Sequence, residues 1–312
     1  MLTEDNNLDG CVSGFASSPR VLAIVGPTAV GKSQLAIELA RTIGAEIINA
    51  DSRLFYRGLD IGTAKPSVAQ MASVTHHLID ILNASDIFSL AEYLERARTL
   101  ISEIQERGRT AIVVGGSGQY VTALLDGWRV PLVPPNAILR AKLERQAAND
   151  GVYSVHALLA REHPEAAAKI DARNIRRVIR ALEVCRAQVR SDDELAAPIH
   201  ARIIGLTAPR EELYRRADLR VNAMIERGWI KEVSQLLNSG ISAGSPAFSA
   251  IGYRELAAYI QGDFPIEEAL RRIRSATRRL IRHQFNWFRL EDVRIAWLRT
   301  GPDLVQRTMN SA

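Results

Sequence analysis

Residues 21–43 read VLAIVGPTAVGKSQLAIELARTI, and three patterns follow one another there without a gap. VLAIV is a short continuous apolar run, the signature of a strand buried on both faces. The octet Gly26-Pro27-Thr28-Ala29-Val30-Gly31-Lys32-Ser33 matches G-x-x-x-x-G-K-[ST], and QLAIELARTI continues with helical periodicity. Strand, glycine loop and helix in this order form a phosphate-binding loop. Its glycines let backbone amides turn toward anionic oxygens, the helix start adds partial positive charge, Lys32 adds a full one, and the Ser33 hydroxyl is placed to meet Mg²⁺. The loop predicts a di- or triphosphate ligand of the nucleotide-binding type, ATP included, without saying which.

Working outward, AEIINA (45–50), HHLIDIL (76–82) and TAIVVGG (110–116) read as further strands, and SLAEYLERARTLISEIQERG (89–108) reads as an amphipathic helix. Strands alternating with helices predict a parallel sheet with helices on both faces. Between Pro131 and Pro198 the rhythm changes to Ala- and Arg-rich helices with no good strand, which predicts a helical insertion over 131–198. Strand character returns at ARIIGLT (201–207). Helices are expected near 210–227, 230–238, 249–261 and 266–289, then a last strand in VRIAWL (293–298). The core is therefore expected over 20–130 and 199–312, with residues 1–19 as a polar, disordered tail.

Composition excludes several classes. Apolar residues make up 47% and charged residues 24%, so the 312-residue chain is neither fibrous nor disordered. The two cysteines, Cys11 and Cys185, fit neither a zinc set nor a disulfide framework, which points to reduced thiols in the cytoplasm. The start of the chain lacks the apolar core of a secretory leader, and no stretch reaches membrane-span length. Forty Lys+Arg against 35 Asp+Glu leave +5, too small a total to imply nucleic acid without a view of its distribution.

A hydrolase or kinase built on such a loop usually carries a metal-supporting carboxylate after a later apolar strand. Here AIVV runs instead into Gly115-Gly116-Ser117-Gly118, and the carboxylate is Asp51, just past the second strand. Strand ends in an open α/β sheet face the ligand crevice, so Asp51 and Ser52 are expected near the phosphate site, with a plain turn Asp the alternative. Residues 271–289 hold seven arginines and no acid, and Arg271, Arg274, Arg278, Arg282 and Arg289 form a helical stripe beside Phe285, Trp287 and Phe288. Arg173, Arg176, Arg177 and Arg180 make a second cluster. Solvated faces and RNA phosphate contacts both explain such clusters. Arg216 and Arg220, four apart, can share a helix face.

Taken together, GPTAVGKSQLAIELA, INADSRLFYRGLDIGTAKPS, HHLIDIL, VVGGSGQY, RNIRRVIRALEV, LRVNAMIERGWIKEV, AIGYREL and ATRRLIRHQFNWFR resemble, in order, the tRNA dimethylallyltransferase (tRNA isopentenyltransferase) family across nearly the whole chain after Arg20. The resemblance implies a P-loop NTPase-like α/β fold with an inserted all-helical subdomain and a helical C-terminal region. It implies transfer of a dimethylallyl group from its diphosphate to the exocyclic N6 amine of the adenosine just 3′ of the anticodon, with Mg²⁺ and release of diphosphate. Residue by residue it implies Asp51 as the base, and Thr28, Lys32, Ser33 and Arg220 at the diphosphate. It places Asp51, Ser52, Arg53, Leu54, Ser117 and Arg140 near the flipped base or its tRNA. It also puts Arg176, Arg177, Val178, Ile179, Arg180, Gly252, Tyr253, Arg254, Arg278, Arg282, Trp287 and Arg289 in segments that contact the anticodon stem-loop. Phe55 and Tyr56 are candidates for base stacking or for core.

The sequence departs from the family at Ser117, where Thr is usual, at His283 and Asn286, and in CRAQVRSDDELAAP after the insertion's last helix. It has no Cys/His set for the C-terminal zinc finger of eukaryotic members. The alternatives are an isopentenyltransferase acting on free AMP, ADP or ATP, a P-loop small-molecule kinase, and a tRNA-binding module without activity. A cytoplasmic monomer is the expectation.

Overall fold

The computed structural model describes residues 21–187 and 196–311. The expected tail, Cys11 and most of the departing SDDELAA stretch lie outside them. Two compact units result: one takes the chain up to Gly127 and resumes at Ala197, and the other is Trp128–Ala196.

The first unit is built on six parallel strands, β1 (Val21–Val25), β2 (Glu46–Asn49), β3 (His76–His77), β4 (Ala111–Val114), β5 (Arg202–Thr207) and β6 (Ile295–Arg299), in the order β3-β2-β4-β1-β5-β6. Before Gly127 its helices are α1 (Lys32–Ile43), α2 (Val68–Ser73), α3 (Leu90–Glu106) and α4 (Gly118–Leu125). The second unit holds α5 (Ala137–Asp150), α6 (Val152–Glu162), α7 (Pro164–Ala168) and α8 (Ile175–Arg186). After Ala197 come α9 (Arg210–Glu226), α10 (Trp229–Asn238), a 3₁₀ turn (Ala247–Ser249), α11 (Tyr253–Gln261), α12 (Ile266–Trp287) and α13 (Leu304–Asn310). This is the phosphate-loop α/β architecture expected from the loop and the strand-helix alternation. Among the described residues no helix is long and apolar enough to cross a membrane.

Alternation along the strands explains the layers. Leu22, Ile24, Ile47, Ile112, Ile204 and Leu206 share one sheet face and form a core with Leu35, Ile37 and Leu39 of α1. Helix α3 packs on β2 and β4 from the opposite face. Its Ser89 is the N-cap and accepts from the Glu92 amide in a capping box. In the second unit Leu143, Val155, Leu159, Val178, Ile179 and Leu182 make a separate small core.

HHLIDIL gives only the two-residue β3 instead of a full strand. Leu78 and Asp80 adopt left-handed φ of 59° and 55°, which turns the chain out of the sheet after His77. The turn has a use: Leu78 O accepts from Asn49 Nδ2 at 2.8 Å, below the carboxyl end of β2. The helix expected from 249 begins at Tyr253, because the 3₁₀ turn and an extended Ala250 intervene.

Candidate active site

The carboxyl ends of β1, β2 and β4 open into a cavity of about 550 Å³. Thr28, Lys32, Ser33, Asp51, Ser117 and Arg220 supply its polar wall, and Val221, Met224, Ile251, Ile273 and Leu280 an apolar one. The phosphate loop enters from β1. At Gly26, φ is 133° and a Cβ would stand 2.4 Å from Leu206 O on β5, so only glycine lets the loop leave the sheet here.

Lys32 folds back over the loop, and its Nζ donates to Pro27 O at 2.8 Å. Burial lowers its pKa to about 8; the Asp51 carboxylate pulls upward and the Arg220 guanidinium pushes further down. Arg220 from α9 is likewise lowered by burial and raised by Asp51. Two cations therefore share one carboxylate in a desolvated cleft, leaving an excess positive charge that an anion would neutralise.

Asp51 is both the turn residue and the cavity carboxylate that the two readings of the sequence offered as alternatives. Its Oδ1 accepts from the Arg53 amide at 3.0 Å, while no hydrogen bond within the described residues holds Oδ2. The backbone beneath is fixed by buried Asn49, whose Oδ1 accepts from Asp51 N at 2.8 Å and whose Nδ2 donates to Asp51 O at 3.0 Å. Ser117 ties in the β4 loop, since its Oγ accepts from Ser52 N at 3.3 Å. The hydroxyl alone makes this bond, so replacement of the usual Thr leaves the tie intact. The side chains of Arg53 and Leu54 also line the cavity.

Residues that sequence reasoning missed hold this wall from behind. Glu232 on α10 accepts from the amides of Asp60, Ile61 and Gly62 at 3.0, 2.7 and 3.3 Å, and from Tyr253 OH at 2.7 Å. Lys65, nearly buried, pairs with Asp60 and Asp80 at 2.5 Å each. Gln284 on α12 reaches the phosphate loop itself: its Oε1 accepts from Thr28 N at 2.7 Å, and its Nε2 donates to Gly116 O at 3.0 Å. A polar residue in register with the buried Ile273 and Ile281 of an otherwise arginine-rich helix was the available signal for Gln284.

Several residues expected at a tRNA surface are elsewhere. Val178 and Ile179 are core of the second unit, and Tyr253 is core of the first, so their side chains hold structure rather than meet a ligand. Arg140 forms a two-point pair with buried Glu183 at 2.7 and 2.9 Å, and Arg180 joins the same carboxylate and donates to Val133 O. Phe55 and Tyr56 are buried as well, Phe55 edge-on to Phe88. Although 271–289 itself holds no acid, the stripe on α12 is partly paired: Arg278 pairs with Asp218 and Arg271 with Glu268, while Arg274 donates to Asn222. Arg216 pairs with Glu212 rather than joining Arg220. Arg176, Arg177, Arg254, Arg282 and Arg289 are exposed, and Trp287 is half-exposed against Gly118. Gly252 is the left-handed N-cap of α11.

Residues 54–291 match the model of the family described as IPP transferase. A tRNA dimethylallyltransferase of Thermomicrobium roseum is 48% identical over 273 residues, 86% of this chain and 83% of that protein. One of Chloroflexus aggregans is 45% identical over 288 residues, 91% and 97% of the two. The crystal structure of a tRNA isopentenylpyrophosphate transferase from Bacillus halodurans superposes with a TM-score of 0.70 at 38% identity, covering 93% of this chain and 94% of that one. With a phosphate loop, an Asp51 wall and an Arg220 brace set in one cavity of the fold those relatives share, the chain belongs to the IPP transferase family.

Proposed function

We propose that the chain transfers a dimethylallyl group from dimethylallyl diphosphate to the N6 amine of the adenosine 3′ to the anticodon of tRNA. The observation that carries the reading is the Asp51 carboxylate set against Lys32 and Arg220 in one partly apolar cavity. A base and a diphosphate cradle are what the reaction needs side by side. The tRNA dimethylallyltransferases among the relatives support tRNA as acceptor, and neither the free-adenylate nor the kinase alternative is favoured by them.

The exocyclic amine is a weak nucleophile because its lone pair is delocalised into the ring. As N6 bonds to C1 of the allyl group and the C1–O bond breaks, an N6 proton passes to Asp51 Oδ2. The electron pair of the broken bond leaves with diphosphate. Loop amides, the Thr28 hydroxyl, Lys32 and Arg220 receive that charge, and the low dielectric of the cleft strengthens each contact. The apolar wall accommodates the five-carbon chain. Exposed Arg176 and Arg177 on one unit, and Arg254, Arg282 and Arg289 on the other, offer cations to tRNA phosphates.

Among the described residues no cluster of three or more His, Cys, Asp or Glu is arranged to hold a metal. Ser33 at the start of α1 offers a single oxygen, a donor set that fits Mg²⁺ carried mainly by diphosphate and water. Bound there, the ion would offset charge on the departing diphosphate. In this reading the protein works as a monomer in the cytoplasm. Incubation with labelled dimethylallyl diphosphate and either unmodified tRNA or AMP tests the proposal. Label in tRNA at the position 3′ to the anticodon is expected; label in AMP, or in neither, overturns it.

A further inference from the structure

We propose that Gln284 is a positioning residue for the diphosphate, its carboxamide locking the phosphate loop to the loop after β4. The inference rests on the reading above only for the identity of the ligand. Gln284 is 4% exposed, yet both ends of its side chain are satisfied: Oε1 accepts from Thr28 N at 2.7 Å and Nε2 donates to Gly116 O at 3.0 Å. These partners lie 256 and 168 residues away, on the two loops that carry the cavity's floor.

The space is matched to a neutral amide. A Cβ at Gly116 would stand 2.3 Å from Gln284 Nε2 and 3.6 Å from Lys32 Nζ. The carboxamide thus fills the space that a side chain at position 116 would take, on the wall of the cavity that Lys32 also lines. A carboxylate here would face the Gly116 carbonyl with no proton to donate and set negative charge beside an incoming anion. The loop also needs an external hold. Ala29, next to Thr28, has a φ of 66°, in the left-handed region that residues with a side chain avoid. Fixing the Thr28 amide keeps that turn in place and leaves the unpartnered amides of the first turn of α1 for the phosphates.

The test uses the full chain with Gln284→Met, which keeps length and removes both hydrogen bonds, and Gln284→Glu, which keeps shape and removes the donor. Calorimetric titration with inorganic diphosphate and Mg²⁺ is expected to show about tenfold weaker binding for the Met variant and a larger loss for Glu. The KM for dimethylallyl diphosphate should rise in parallel, with tRNA affinity within about twofold of the unaltered protein. Diphosphate binding unchanged in Gln284→Met, or tRNA and diphosphate binding lost equally, overturns the proposal. Amide exchange at Thr28 in the unaltered chain needs no variant: protection without ligand is expected, and exchange at the rate of an open loop overturns it. An unaltered chain that binds no diphosphate overturns the reading of the loop itself, which separates that failure from one confined to Gln284.

Discussion

At Lys32 two effects oppose each other: burial strips water from the ammonium while Asp51 offers a compensating charge, and burial wins, leaving the group at about 8. A bound diphosphate adds charge of the opposite sign and lifts that value, so binding favours the protonated form. Affinity is then complete below pH 8 and falls as pH rises through it, by up to about tenfold per unit. Titrations at pH 8.5 in two buffers of different protonation heat should report uptake of a proton; equal heats would refute this. Asp51→Asn retains an acceptor for the Arg53 amide but no longer takes a proton. Its single-turnover transfer rate is expected to fall about 10²–10⁴-fold with diphosphate still bound, and near-normal transfer would remove Asp51 as base. The phosphate loop was legible at this scale because its eight residues are contiguous. Gln284 was not, since its partners are 256 and 168 residues away and nothing local marks it except its register.

Helix α10 shows how one element holds another's backbone. Its Glu232 takes three amides of the 60–62 turn and the Tyr253 hydroxyl, and burial beside that carboxylate pushes the Tyr253 phenol up, so it remains a donor. Glu232→Ala leaves several of these groups without a partner and is expected to cost about 2–4 kcal/mol, against about 1 kcal/mol for Tyr253→Phe. Urea unfolding of the two variants measures both; a loss below about 0.5 kcal/mol for Glu232→Ala would show that water replaces the carboxylate. Apolar periodicity correctly marked β1, β4 and β5 because those strands are covered on both faces. It overextended β3 because positive φ at Leu78 and Asp80 turns the chain away, into contacts with distant residues that local pattern does not show: Leu78 O accepts from Asn49 and Asp80 N donates to Leu54 O.

At the scale of the whole molecule, the net charge of +5 divides between arginines committed to structure and arginines left outside. Sequence reading saw the cations but not their acids: Asp218, which pairs with Arg278, comes from α9, and Glu183, three residues beyond Arg180 on α8, also draws in Arg140 from α5. Arg282 has no ion-pair partner among the described residues, whereas Arg278 must exchange Asp218 for a phosphate. Removing both should reduce the salt dependence of tRNA binding by roughly 1–2 logarithmic units per decade of salt, with Arg282→Ala alone giving most of it. Filter binding across a salt series checks this, and an unchanged slope would exclude the α12 face from the tRNA interface.

The strand order has a consequence for the chain as it is made. β1 is central, yet its neighbours β4 and β5 begin near residues 111 and 202, and the residue that ties down the phosphate loop is 256 positions beyond Thr28. At roughly 5–20 residues per second, the ribosome delivers Gln284 about 13–50 s after the loop. The first functional motif to be synthesised is thus among the last to be completed. A chain truncated before α12 retains the whole sequence signature of the diphosphate site without the amide that shapes it.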